Sequence, residues 1–209
     1  MKLKLILTTA IVGMVVSLLG AAAAARADPF AYVPNSFSFE IGSSDSVFQY
    51  DIGAGGLLAP LSPATVAAGD TPFAAAVSPD GQSAYVTNIF SDNISQYDIG
   101  AGGALSPKNP ATVAAGADPN GVAVSPDGGS VYVANGASDP GVSQYDVGAG
   151  GALSPKSPAT VVTGGTPQQV AVTPAQVPAS KDQCKNGGWR NVPQFKNQGQ
   201  CIAFVDHGP

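Results

Sequence analysis

The chain has 209 residues and a net charge of −5, with 9 Lys and Arg against 14 Asp and Glu. Phosphate binding needs a cationic face, so this balance argues against nucleic acid as a partner. With 26 glycines, 18 prolines and 11% charged residues, the composition predicts a turn-rich all-β protein.

At the start of the chain, Lys2 and Lys4 precede an uncharged apolar stretch from Leu5 to Ala25, and Ala25-Arg26-Ala27 supplies a small-x-small cleavage site. That pattern predicts a signal peptide over residues 1–27, a mature chain beginning at Asp28, and a secreted, extracellular or cell-surface location. Left uncleaved, the stretch would tether the chain to a membrane, although Thr8, Thr9, Gly13, Ser17 and the alanine tail make it a poor span. The mature chain keeps six basic residues against fourteen acidic ones.

Residues 28–174 carry a block of about 47 residues three times, and a strand-rich repeat of this period is the length of one β-propeller blade. The clear copies run from Tyr85-Val86-Thr87-Asn88 to Tyr97-Asp98-Ile99-Gly100, and from Tyr132-Val133-Ala134-Asn135 to Tyr145-Asp146-Val147-Gly148. A degenerate first copy runs from Tyr32 through Tyr50-Asp51-Ile52-Gly53.

Within a repeat, four short strands are predicted. The innermost are Phe73 to Val77, Gly121 to Val124 and Gln169 to Val172, uncharged and nearly continuously apolar, as strands covered on both faces are. Ser78-Pro79-Asp80-Gly81 and Ser125-Pro126-Asp127-Gly128 then make hairpin turns, with glycine at the positive-φ position. Second strands follow at Ala31 to Val33, Ala84 to Thr87 and Val131 to Ala134, and third strands at Ile94 to Ile99 and Val142 to Val147. The fourth strands are Ala64 to Ala67, Ala111 to Ala114 and Ala159 to Val162, each after a glycine-proline loop.

This arrangement gives three four-stranded blades if Gln169 to Val172 completes the first one. Propellers generally close with four or more blades. The chain is therefore expected to be an incomplete propeller, an arc or a piece of a longer one, or half of a six-bladed homodimer.

Aspartates are unevenly placed. Asp45, Asp92 and Asp139 fall in loops between second and third strands, and Asp70 and Asp118 in loops between fourth and first strands, which emerge on one face of a propeller. They are candidate metal ligands for weak Ca²⁺ binding, or simply turn formers. Lys108 and Lys156, the lysines of the repeats, are expected in loops of the opposite face. The Asp-Ile-Gly-Ala-Gly-Gly motif is no phosphate loop, because the proline-rich sequence behind it excludes the helix such a loop needs. Asn93-Ile94-Ser95 fits a glycosylation sequon, which a bacterial-looking signal peptide makes weak.

After a linker at 175–183, residues 184–209 hold both cysteines and Trp189, the single tryptophan. In an exported protein Cys184 and Cys201 are expected to form one disulfide. The segment is then either a disulfide-stapled knob or an attachment module that presents Trp189. It resembles a short cysteine-containing tail of secreted actinobacterial proteins.

The Ser-Pro-Asp-Gly turn followed by Tyr85-Val86-Thr87-Asn88 and a Val/Ile-rich strand resembles the YVTN-type β-propeller repeat, which is similar to the repeats of the seven-bladed lactonase propellers. The resemblance covers roughly residues 30 to 174 and implies the propeller fold. A lactonase of this kind implies histidine, arginine and glutamate around a central channel, yet Asp28 to Pro174 contains no histidine or arginine, and Glu40 is its one glutamate. Lactone hydrolysis needs a base to activate water and donors for the oxyanion. The sequence therefore predicts a non-enzymatic repeat protein, with no catalytic residue or cofactor beyond the weak Ca²⁺ site, presenting a loop face to a protein or carbohydrate ligand. A lactonase-like hydrolase of the 6-phosphogluconolactonase type, or a structural cell-surface repeat, are the alternatives.

Overall fold

The computed structural model describes residues 29–36, 45–136, 140–174, 180–187, 190 and 195–207. The expected signal segment, Glu40, Asp139 and Trp189 lie outside the described residues.

Strands with alternating small and branched or aromatic side chains, broken by Ser-Pro-Asp-Gly and Gly-Ala-Gly-Gly turns, fold back on their sequence neighbours as meanders. The strands are β1 (Phe30–Asn35), β2 (Ser46–Ile52), β3 (Leu58–Ala67), β4 (Pro72–Val77), β5 (Ser83–Asn88), β6 (Asn93–Ile99), β7 (Leu105–Ala114), β8 (Pro119–Val124), β9 (Ser130–Asn135), β10 (Gly141–Val147) and β11 (Leu153–Val162). They form three antiparallel sheets, β1-β2-β3, β4-β5-β6-β7 and β8-β9-β10-β11, which are the first, second and third blades of a propeller-like arc. Among the described residues two helices follow, α1 (Lys181–Lys185) and α2 (Gln198–His207).

The hairpin turns follow from local chemistry. Asp80 Oδ1 accepts from the Ser78 hydroxyl at 2.5 Å and from the Gln82 N–H at 3.0 Å, while Ser78 Oγ accepts from Ser83 N at 2.9 Å. Gly81 completes the turn at φ 70°, where a residue with a Cβ is strained. Asp127, Ser125 and Gly128 repeat the arrangement in the third blade.

Two expectations are corrected. The fourth strands begin six residues earlier than predicted and run through the prolines: Tyr97 pairs with Pro107 and Ser95 with Thr112, with a bulge between them. Proline is tolerated because this is the outer edge strand, where a missing N–H costs no ladder bond on the open side. Gln169 to Val172 forms no strand, and among the described residues the first blade has three strands rather than four. Its expected partner, β1, belongs to the blade at the other end of the arc. The segment nonetheless lies against the third blade, close enough that a Cβ on Gly121 would stand 2.7 Å from Gln169 Cα.

Blades pack face to face, and strand alternation decides which residues enter which seam. Along β5, Ala84 and Val86 point toward the first blade and join a cluster with Val47, Tyr97 and Leu105. Tyr85 between them points the other way, into a cluster with Ile94, Val131, Val133, Tyr145 and Leu153 of the third blade. Every residue of β5 is buried. Fully burying an apolar side chain contributes about 1.5–3 kcal/mol, so these two seams form the core of the arc.

Each seam is also tied by the same side-chain to backbone hydrogen bonds. Between the first and second blades, the Tyr32 hydroxyl donates to the Gly103 carbonyl at 2.7 Å, Gln49 Oε1 accepts from Leu105 N at 2.5 Å, and the Tyr97 hydroxyl donates to the Ala67 carbonyl at 2.8 Å. Between the second and third, Tyr85 donates to Gly151 at 2.7 Å, Gln96 accepts from Leu153 N at 2.9 Å, and Tyr145 donates to Ala114 at 2.7 Å. The repeat therefore specifies the contact between blades as well as the blade.

Candidate functional site

The rim that carries the predicted aspartates is held by its own backbone bonds. Asp92 Oδ1 accepts from the Asp118 N–H at 3.0 Å, Asp70 Oδ1 accepts from the Thr71 hydroxyl at 3.1 Å, and the Asp70 N–H donates to Ser91 Oγ at 2.7 Å. Asp92 and Asp118 sit at φ 49° and 50°, left-handed positions that aspartate tolerates better than most residues. Asp45 hydrogen-bonds through its carbonyl to Ala68 N at 3.2 Å. Among the described residues no three His, Cys, Asp or Glu side chains gather closely enough to hold a metal ion, and Asp139 lies outside them.

Lys108 and Lys156 are strand residues rather than loop charges. They lie within β7 and β11, where the neighbouring third strand places a carboxylate beside each: Lys108 pairs with Asp98 and Lys156 with Asp146. Lys108 is buried and also donates to the Gly150 carbonyl of the next blade at 2.6 Å. Leu61 takes the lysine position in the first blade, and there Asp51 Oδ1 is buried without a partner.

The innermost strands wall the axis of the arc. β4 reads Pro-Phe-Ala-Ala-Ala-Val and β8 Pro-Asn-Gly-Val-Ala-Val, so neither offers a titratable side chain to the channel.

A cleft of about 470 Å³ opens between the first and second blades on the rim of the Ser-Pro-Asp-Gly turns. Phe30 and Tyr32 of β1 form one side; Val77, Asp80 and Gln82 of the β4–β5 turn and Ile99 at the end of β6 form the other. Its volume is in the range of small-molecule sites, about 300–1,000 Å³. Asp80 is the one carboxylate in the lining, and its bonds from the Ser78 hydroxyl and the Gln82 N–H hold it below the usual carboxylate range. A general base works best with a pKa near the operating pH, so this carboxylate is set up as a fixed anion.

No single repeat shows this cleft, because its walls come from two blades. The signal was there in the repeat alignment: Phe30 occupies the position of Ser83 and Ser130, and its ring lies against Gly103, where a Cβ would be 2.2 Å from Phe30 Cδ1.

The remaining region is the segment after the blades. Cys184 and Cys201 form a disulfide with Cα atoms 5.8 Å apart. Both are buried with Phe195, against which Phe204 packs edge-on at 5.3 Å between ring centroids.

Residues 37–177, more than half of the chain, match the family described as "Lactonase, 7-bladed beta-propeller". The chain belongs to that family. Among solved structures, a candidate 6-phosphogluconolactonase from Bacteroides fragilis is 22% identical with a TM-score of 0.55, over 62% of this chain and 39% of its own. A second candidate 6-phosphogluconolactonase, from Bacteroides uniformis, is 20% identical with a TM-score of 0.53, over 63% of this chain and 39% of its own. At these identities the likeness is one of fold. The chain spans about two fifths of the length of either structure, as three blades of a seven-bladed ring would. No curated protein sequence matches it.

Proposed function

We propose that this lactonase-family chain is an exported, non-enzymatic propeller protein that binds an apolar portion of a protein or carbohydrate ligand in the cleft between its first and second blades. The observation that carries this reading is the lining of that cleft: aromatic and aliphatic walls from Phe30, Tyr32, Val77 and Ile99, with polar groups confined to Asp80 and Gln82. Such a lining favours burial of apolar surface with one anionic and one amide contact to orient the ligand.

A lactonase-like hydrolase is the second reading, and family membership favours it. It would need a base that takes a proton from water, and Asp80 is the cleft's one carboxylate. The two readings separate on 6-phosphogluconolactone and gluconolactone as substrates. The binding reading expects lactone loss in the presence of the chain to equal spontaneous hydrolysis, and Asp80→Asn to change nothing. Turnover above that background, abolished by Asp80→Asn, overturns the non-enzymatic reading.

A further inference from the structure

The two seams inside the arc define what a blade face needs, and the two end faces of the arc lack it. On the trailing face of the third blade, Tyr132 takes the place of Tyr32 and Tyr85, Gln144 that of Gln49 and Gln96, and Lys156 that of Lys108. Gln144 Nε2 donates to Pro158 O in its own blade at 2.7 Å, as Gln96 does to Pro110 O at 2.9 Å, but among the described residues no following blade offers its Oε1 an N–H. On the leading face of the first blade, Leu58 is 53% exposed, whereas the equivalent Leu105 and Leu153 are 7% and 8% exposed against a preceding blade. Val33 is 46% exposed where Val86 and Val133 are both at 0%. Among the described residues the inner edge of β1 has no neighbour, and Gln169 to Val172 lies beyond the third blade with no strand to pair with.

These two faces are complementary to each other, each holding the donors or acceptors that the other's polar groups need. We infer that the occupant of each is a second copy of this chain, joined head to tail, so that two arcs close a six-bladed ring with two identical junctions. The contact is a third instance of a seam already present twice in the fold, which is why it commits to a second copy rather than to an unrelated partner. It is heterologous, and the two-fold ring uses up both faces, leaving none to extend a filament.

The repeat fixes the register of the junction. In the second blade Ala75, Ala76 and Val77 pair with Val86, Tyr85 and Ala84, and in the third Val122, Ala123 and Val124 pair with Val133, Tyr132 and Val131. By the same spacing from Pro167, Val170 pairs with Val33, Ala171 with Tyr32 and Val172 with Ala31 of the second copy. Four side-chain bonds accompany the pairing: the Tyr132 hydroxyl to the Gly56 carbonyl, Lys156 Nζ to the Gly55 carbonyl, Leu58 N–H to Gln144 Oε1, and the Tyr50 hydroxyl to the Val162 carbonyl. Each repeats a bond seen within the arc. This inference is independent of what the cleft binds.

Light scattering on the purified full chain tests it. The expected mass is twice that of one chain. Leu58→Asp, which spoils only the leading face, and Val170→Asp, which spoils only the trailing one, are each expected to give monomers whose circular dichroism keeps the β-sheet signal. An equimolar mixture of the two variants retains one intact face of each kind and is expected to recover a dimer. A wild-type chain that stays monomeric, a ladder of higher masses in place of a dimer, or a mixture that stays monomeric beside a dimeric wild type overturns the inference.

Discussion

Tyr85 shows how much one side chain of the repeat does. Its ring fills the seam between the second and third blades, fully buried, and its hydroxyl satisfies the Gly151 carbonyl at 2.7 Å. Tyr85→Phe keeps the ring and removes the donor, leaving the half-buried Gly151 carbonyl without its partner at a cost of about 0.5–1.5 kcal/mol. Urea denaturation is expected to show that loss as a lower midpoint with an unchanged slope. The tyrosines also make the fold sensitive to alkali: burial pushes the phenols of Tyr32, Tyr85, Tyr97 and Tyr145 up. A phenol raised in the folded state holds its proton more tightly there than in the unfolded chain. Its contribution is complete below the unfolded value, about 10, and is lost as pH climbs through the higher folded value. Stability should therefore fall with rising pH above about 10, and fall less steeply in Tyr85→Phe. A pH-independent midpoint across that window would mean these phenols reach solvent.

At the scale of elements, the helical segment after the blades has a small core of its own. Cys184, Phe195 and Cys201 are buried together, with Ile202, Phe204 and Val205 packed against them. The disulfide joins residues 17 apart, which in the chain-entropy account contributes about 3 kcal/mol to this unit. Cys201→Ser is expected to raise hydrogen exchange across α1 and α2 while the amides of β5 and β9 keep their protection. Loss of protection in β5 as well would show that the helical unit supports the blades. Legibility also varied by element. Second and third strands could be read directly, because Tyr-Val alternation and flanking turns are local signals. The first half of each fourth strand was missed because Pro107 and Pro110 read as loop, when an edge strand accommodates both. Lys108 was misplaced for a different reason: its partners, Asp98 and the Gly150 carbonyl, lie on a neighbouring strand and a neighbouring blade, and the packing of blades cannot be read within one repeat. The cleft depended on the same packing, through Phe30 on one blade and Ile99 on the next.

At the scale of the whole molecule, the arc behaves as a one-dimensional stack, so its stability is the sum of blade terms and seam terms between nearest neighbours. The three equivalent glutamines separate these terms. Gln49 and Gln96 each bond within their own blade, to Pro63 O at 3.1 Å and Pro110 O at 2.9 Å, and across the seam to Leu105 N and Leu153 N. Gln144 keeps the bond inside the blade, to Pro158 O, and has no seam to cross within one chain. Substitution by alanine therefore removes two kinds of contact from the first two and one from the third. At protein concentrations low enough to keep the chain monomeric, Gln49→Ala and Gln96→Ala are each expected to cost about 1–3 kcal/mol, because each strands a buried leucine N–H. Gln144→Ala should cost clearly less. Because a weakened seam uncouples its neighbours, Gln96→Ala should also broaden the thermal transition as the third blade begins to melt apart from the other two, which Gln144→Ala should not do. Equal losses and equally sharp transitions for all three variants would mean that the glutamines stabilise single blades, and that the bonds between blades carry no share of the stability.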